Sequence, residues 1–178
     1  MTPKSYRSGG AGETITYAYK DTSLGLMAMA ATEKGVCFVQ FGNDEDTLLK
    51  MLKEEFPKAD LIPSPAHSEA ELNNWIAALE QHISLGTARP DLPLDMRGTA
   101  FQMQVWKFLL SVREGDVLSY SELAKQIGKP KAFRAAASAC GANRIGVLIP
   151  CHRVLRGDGS LGGYRWGLER KQALLDAE

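Results

Sequence analysis

A chain of 178 residues and 19.4 kDa holds one core, or two small ones packed together, at roughly 150 residues per domain. Its composition, 44% hydrophobic and 24% charged, excludes a disordered or collagen-like chain. No run approaches the ~20 apolar residues of a membrane span and the opening MTPKSYRSGGAGE is polar, so a cytoplasmic protein without a membrane partner is expected. The net charge is zero, yet residues 129–171 carry nine Lys and Arg against Asp158 and Glu169, a net of +7 that leaves −7 for the remainder. Such asymmetry points toward a polyanionic partner, although an uneven solvated surface also produces it.

In chain order, Thr14–Tyr19, Leu24–Ala31 and Gly35–Phe41 read as three strands at hairpin spacing. Asp44–Phe56 places Leu48, Leu49, Leu52 and Phe56 at helical spacing and stops at Pro57. Ser68–Leu85 repeats the pattern through Leu72, Trp75, Ile76 and Leu79 and stops at Gly86. His67 and His82 read as surface residues. Pro90 and Pro93 break the pattern and set a boundary between domains 1–93 and 94–178.

The second half is mainly helical. Thr99 caps a helix through Val112 that carries Phe101, Val105, Trp106 and Leu109. Ser119-Tyr120-Ser121-Glu122 is a capping-box signature opening a helix through Ile127. Gly128 ends it, and Pro130 sits in the first turn of the next helix, Lys131–Cys140. The two short helices form a helix-turn-helix outline, a weak motif alone that gains weight inside the basic segment. A last helix is expected over Gly167–Ala177. The fold class is thus α+β: a small antiparallel three-stranded sheet covered by helices, then a mainly helical domain.

Chemistry concentrates at Pro150-Cys151-His152-Arg153-Val154, after the apolar run Ile145–Ile149. Pro150 fixes its own φ and biases Ile149 toward extended geometry, delivering the thiol at a defined position. Neighbouring His152 and Arg153 favour the thiolate, the reactive form of a cysteine, as cationic or hydrogen-bonding neighbours do. Adjacent side chains of an extended backbone point apart, so His152 acts through a turn or a bridging water and needs a third group to orient it. Cys37, in an apolar strand, and Cys140, in an alanine-rich helix, read as packing residues. Three cysteines are an odd number in a chain that needs no staples, so free thiols are expected rather than a disulfide framework. Adjacent Cys151-His152 lacks the spacing of zinc ligands, so no metal is expected. Gly157-Asp158-Gly159-Ser160-Leu161-Gly162 satisfies a dinucleotide fingerprint, but no βαβ unit follows it and it reads as a loop.

Ile149–Val154, preceded by Asn143 and by Ser119-Tyr120 with Leu123-Ala124, resembles the O6-alkylguanine-DNA alkyltransferases from about Gly98 to the C-terminus. Gly157-Asp158-Gly159 and Gly163-Tyr164-Arg165-Trp166-Gly167 are most similar to the C-terminal half of Ada-type members. The resemblance implies a ribonuclease H-like first domain and a single irreversible transfer of an alkyl group from guanine O6 to Cys151, without a cofactor. It implies that Glu178 and His152 polarise Cys151 through water, that Asn143 braces the cysteine turn, and that Tyr120 crowds the phosphate and protonates the departing guanine. It implies a minor-groove approach by the second helix, with Arg134 filling the stack vacated by a flipped nucleotide and Ala132, Ala135 and Ala136 allowing close contact. Lys129, Lys131 and Arg144 are expected on phosphates. Pro150, Val154, Tyr164, Arg165 and Trp166 are expected around the alkyl pocket, with the Trp166 ring favouring methyl over benzyl adducts unless it only packs the last helix. The partner is double-stranded DNA containing O6-alkylguanine, bound by a monomer at the bacterial nucleoid, and an Ada-like N-terminal domain would be fused elsewhere. Two other readings stay open: a DNA-binding regulator in which Cys151 is structural, and a turnover hydrolase using Cys151-His152.

Overall fold

The computed structural model describes residues 1–65 and 70–178; the expected helix start at Ser68, and His67, lie outside them. The chain divides into two compact units, Met1–Arg97 and Gly98–Glu178.

The first unit opens with a short helix, α1 (Pro3–Arg7), which no apolar periodicity announces. Three antiparallel strands follow as expected, β1 (Thr14–Thr22), β2 (Gly25–Thr32) and β3 (Gly35–Gly42). The sheet has four strands rather than three: β4 (Asp60–Pro63) pairs parallel to β1, giving the order β3-β2-β1-β4. A four-residue strand with one Pro, exposed along most of its length, shows no alternation from which to read it. Between β3 and β4, α2 (Glu45–Glu55) starts where the Asp44 carboxylate accepts from Thr47 N at 2.7 Å. It buries Leu48 and Leu52, with Phe56, against Ile15, Ala28, Ala30 and Phe38. Met27, Met29 and Val39 are equally buried, so the sheet is covered on both faces. Helix α3 (Glu71–Leu85) lies along β1 and β2 through Leu72, Ile76 and Leu79 and ends at Gly86 in the left-handed region. Pro93–Asp95 add to the edge of β3: Val36 N donates to Pro93 O at 2.8 Å and Asp95 N to Val36 O at 2.7 Å. A Cβ on Gly35 would sit 2.4 Å from Pro93 O, so this close approach requires glycine.

The second unit begins with α4 (Ala100–Leu109), opened by a complete Thr99–Gln102 capping box. It buries Val105, Trp106 and Leu109, and Trp106 Nε1 donates to Ala139 O at 2.9 Å, tying α4 to α6 (Phe133–Gly141). The two-residue β5 (Leu118–Ser119) leads into α5 (Tyr120–Gln126) through the Ser119–Glu122 capping box. Gly128, at φ 77°, turns the chain between α5 and α6. Helix α6 starts at Phe133, two residues later than the sequence reading, which leaves Pro130 in the turn. A 3-10 turn (Cys151–Arg153) runs into β6 (Val154–Leu155), parallel to β5, and α7 (Leu168–Asp176) closes the chain. No helix among the described residues is long and apolar enough to cross a membrane.

Candidate active site

The turn that presents Cys151 is built by Asn143. Its side chain, 1% exposed, accepts from Ile145 N at 2.9 Å and donates to Ile145 O at 3.2 Å and Ile149 O at 3.1 Å, tying both ends of the apolar run to one amide. Within that run Val147 takes φ 68°, a strained conformation for a β-branched residue, at a buried position. Pro150 O accepts from Arg153 N at 3.0 Å, closing the 3-10 turn.

Behind the cysteine, His152 and Arg153 are 1% exposed and converge on Glu178. His152 Nε2 donates to Glu178 Oε1 at 2.8 Å. Arg153 donates Nη2 to the same oxygen at 2.7 Å and Nε to Oε2 at 3.0 Å, while its Nη1 reaches Val112 O at 2.6 Å. Burial works against the Glu178 charge, but the hydrogen bonds from His152 and Arg153, and the electrostatic attraction of these two neighbours, bring its pKa down to about 2. The expected effect of His152 and Arg153 on the thiol is therefore corrected: Arg153 is committed to Glu178 and Val112, and the Cys151 thiol is pushed well above its ordinary pKa. Burial is the main cause and the neighbouring Cys140 thiol adds to it, while a hydrogen bond with Asn143 and the charge of Lys171 pull back.

Lys171 was missed by sequence reasoning. A lysine on a terminal helix reads as solvated surface, yet this one is fully buried, with Nζ donating to the carbonyls of Val154 (2.7 Å), Gly163 (3.1 Å) and Leu161. Its ammonium lies 5.9 Å from the centre of the Tyr120 ring, and burial pushes its pKa down. Only its place one turn before the buried Leu174 on α7 hinted at an inward face.

Cys151 opens on a cavity of about 460 Å³ lined by Tyr120, Ala137, Cys140, Gly141, Arg156, Gly163, Tyr164 and Arg165. Tyr120, at the first position of α5, is aimed by the Ser119 cap; burial and the nearby Cys140 and Cys151 raise its pKa to about 12. Burial likewise holds the Tyr164 hydroxyl above its usual value. Arg165 Nη1 lies 3.4 Å from Asn143 O. Cys140, read as a packing residue, instead lines the cavity, and Arg156, exposed at its edge, was not anticipated. Pro150, just before the turn, and Val154, in β6, are buried rather than on the cavity wall. Trp166 is a second correction: 6% exposed, it meets Tyr164 edge-on at 5.2 Å between ring centres and so packs behind the wall, as the bland reading had it.

The residues expected on DNA fall into two groups. Lys129, Lys131, Arg134 and Ala135 are exposed and Ala132 half-buried along the α5–α6 turn and the outer face of α6. Lys129 Nζ lies 5.2 Å from the Phe101 ring centre, and the Arg134 guanidinium 5.9 Å from that of Phe133. Ala136, however, is fully buried and faces the core, where the alternation of α6 puts it with Ala139 and Cys140, so it is corrected to a packing residue. Arg144 is half-buried, its guanidinium 5.7 Å from the Trp106 ring centre. Among the described residues no group of three His, Cys, Asp or Glu could hold a metal ion.

A buried, cavity-lining thiol backed by a His–Glu pair and flanked by a helix-turn-helix defines a class of protein that joins a cysteine-lined cavity to a helix-turn-helix domain. Residues 100–178 match the family described as 6-O-methylguanine DNA methyltransferase, DNA binding domain. The chain is 47% identical over 178 residues to the bifunctional transcriptional activator/DNA repair enzyme Ada of Escherichia coli, covering 100% of this chain and 49% of that protein. It thus spans about half the length of such relatives. The methylated-DNA–protein-cysteine methyltransferase of Saccharomyces cerevisiae is 33% identical, with 93% of this chain and 94% of the yeast protein covered. The solved structure of Mycobacterium tuberculosis OGT in complex with DNA matches with a TM-score of 0.75 at 32% identity, covering 90% of this chain and 91% of that one. The chain belongs to the methylated-DNA–protein-cysteine methyltransferase family.

Proposed function

We propose that this protein repairs duplex DNA by one irreversible transfer of an alkyl group, chiefly methyl, from guanine O6 to Sγ of Cys151, and also from thymine O4. The observation that carries the reading is the Cys151 thiol on the wall of a cavity between Tyr120 and Tyr164, with the His152–Glu178 pair 2.8 Å apart behind it. As the sulfur–carbon bond forms, the carbon–O6 bond breaks and its electron pair stays on guanine. The Tyr120 hydroxyl, kept protonated at neutral pH by its raised pKa, supplies the proton. With His152 donating Nε2–H to Glu178, Nδ1 is the basic nitrogen that takes the thiol proton through a water, the arrangement of a triad with its ring nitrogens exchanged. Burial keeps Cys151 a thiol at rest, so the thiolate forms only as the proton is drawn off. A thioether is a poor leaving group and no group in the cavity regenerates the thiol, so each molecule reacts once.

Asn143 braces the cysteine turn and Lys171 favours the thiolate, both as positioning residues. The target atom lies inside a duplex, so the nucleotide is extruded into the cavity, with Arg134 filling the vacancy. The small exposed Ala135 and half-buried Ala132 let α6 approach the minor groove, with Lys129 and Lys131 on phosphates. Arg144, stacked over Trp106, positions the loop before Ile145 instead of a phosphate. The protein acts as a monomer on alkylated double-stranded DNA, and an Ada-like N-terminal domain is a fused partner.

Intact-protein mass spectrometry after mixing with excess duplex containing O6-methylguanine tests this reading. One methyl per chain, mapped to Cys151 and saturating at that level, is the expected result. An unmodified protein with the lesion intact would leave a DNA-binding module, and an unmodified protein with repaired DNA would mean turnover.

A further inference from the structure

We propose that Cys140 and Cys151 together form a dithiol site for soft centres that bind two sulfurs, above all monosubstituted trivalent arsenicals. The two residues come from different elements, the last turn of α6 and the 3-10 turn, and nothing in their spacing announces that they meet. Both thiols are free and both line the same cavity, and Cys140 is the neighbouring side chain that adds to burial in raising the Cys151 pKa. Cys37 lies in the first unit, its Sγ 3.6 Å from Ala30 O.

The composition of the site selects its ligand. With no third His, Cys, Asp or Glu to complete a cluster among the described residues, a tetrahedral zinc-type site is not available. Arsenic(III) carrying its own carbon substituent needs two sulfurs and nothing else from the protein, and thiolates prefer soft centres. The substituent has room in the cavity between Tyr120, Ala137 and Tyr164. Burial makes the Cys151 thiol a reluctant anion, but the exchange leaves no charge behind. In R–As(OH)₂ two As–O bonds break and two As–S bonds form, each hydroxyl departs as water with one thiol proton, and arsenic stays trivalent. The bound form ties up Sγ of Cys151, so it blocks alkyl transfer, although the site itself does not depend on that activity.

The test uses the full chain and phenylarsine oxide, with excess reagent removed by a monothiol before intact-mass measurement. Native protein and Cys37→Ser are expected to keep one phenylarsenic per chain, and a dithiol to strip it. Cys140→Ser and Cys151→Ser are expected to retain it roughly a hundredfold less well, the advantage that a second, intramolecular bond confers. Retention by either of those two variants, or none by native protein, would overturn the proposal. Folding of the variants is bypassed by a second readout on native protein alone: iodoacetamide after arsenical treatment should spare both Cys140 and Cys151, and modification of either overturns the site. Methyl transfer by a protein that retains no arsenical would count against the dithiol site alone. Arsenical retention without methyl transfer would count against the repair reading alone.

Discussion

The Glu178 carboxylate gathers His152 and Arg153 while sitting almost out of water, and its pKa of about 2 has a direct consequence for stability. A carboxylate whose folded pKa lies below its ordinary value of 4.5 stabilises the fold fully above that value. The contribution is lost as pH falls from there through the folded pKa. Acid titration followed by near-ultraviolet circular dichroism should show the Glu178→Gln variant less sensitive than the native protein between about pH 4.5 and 2. At neutral pH the same substitution leaves Arg153 buried without its counter-charge, at a cost of about 3–5 kcal/mol, and should slow alkyl transfer by about 10²-fold or more. Transfer at the native rate with the expected loss in urea midpoint would reduce Glu178 to a structural role. Lys171→Met removes the donor from the carbonyls of Val154, Leu161 and Gly163 and a cation that favours the Cys151 thiolate. A loss of about 2–4 kcal/mol in urea unfolding and a transfer profile displaced to higher pH are expected.

At the scale of elements, the capping boxes decide where the functional side chains begin. Ser119 starts α5 and thereby aims Tyr120, so Ser119→Ala should cost about 1 kcal/mol in urea unfolding and lower the transfer rate more than Thr99→Ala, which loosens α4 by a similar amount. If the two variants slow transfer equally, the cap is not what aims Tyr120. Arg134 on the exposed face of α6 should matter only where a base must leave a stack: Arg134→Ala is expected to lose about tenfold to a hundredfold on duplex lesions, from stacking worth about 1–3 kcal/mol, and little on single strands. Both caps were legible in the sequence because a hydroxyl three residues before Glu or Gln is a local signal, and the helix-turn-helix was legible because Gly128 punctuates it. Ala136 and Ala135 are one residue apart and chemically identical, so only the packing of α6 tells the buried one from the exposed one. The sharing of one cavity by Cys140 and Cys151 and the parallel pairing of β4 are likewise tertiary events that no residue pattern encodes, and the inward turn of Lys171 is hinted at only by its register with Leu174. The gathering of His152 and Glu178 behind Cys151 was readable through resemblance, but the direction of the thiol pKa was not, since adjacency in sequence suggested two helpful neighbours that the fold turns toward Glu178.

Across the whole molecule, the +7 of residues 129–171 is divided between two uses. Arg153 and Lys171 are buried and Arg144 is stacked on Trp106, whereas Lys129, Lys131 and Arg134 stay exposed on one stretch. Phosphate contacts from Lys129 and Lys131 would give a log–log dependence of DNA affinity on salt with a slope of about −2, and Lys129→Ala should lower its magnitude by about one whatever the DNA sequence. A slope unchanged by that substitution would remove Lys129 from the interface. Residues Gly157–Ser160 are exposed and belong to no helix or strand, while the far end of the same loop is gathered by the Lys171 ammonium at Leu161 and Gly163. A protease needs several consecutive residues drawn out into its cleft, and that one buried cation withholds the downstream half of any such stretch. The loop is thus accessible yet a poor substrate, and how fast it is nicked reports how often a single lysine lets go.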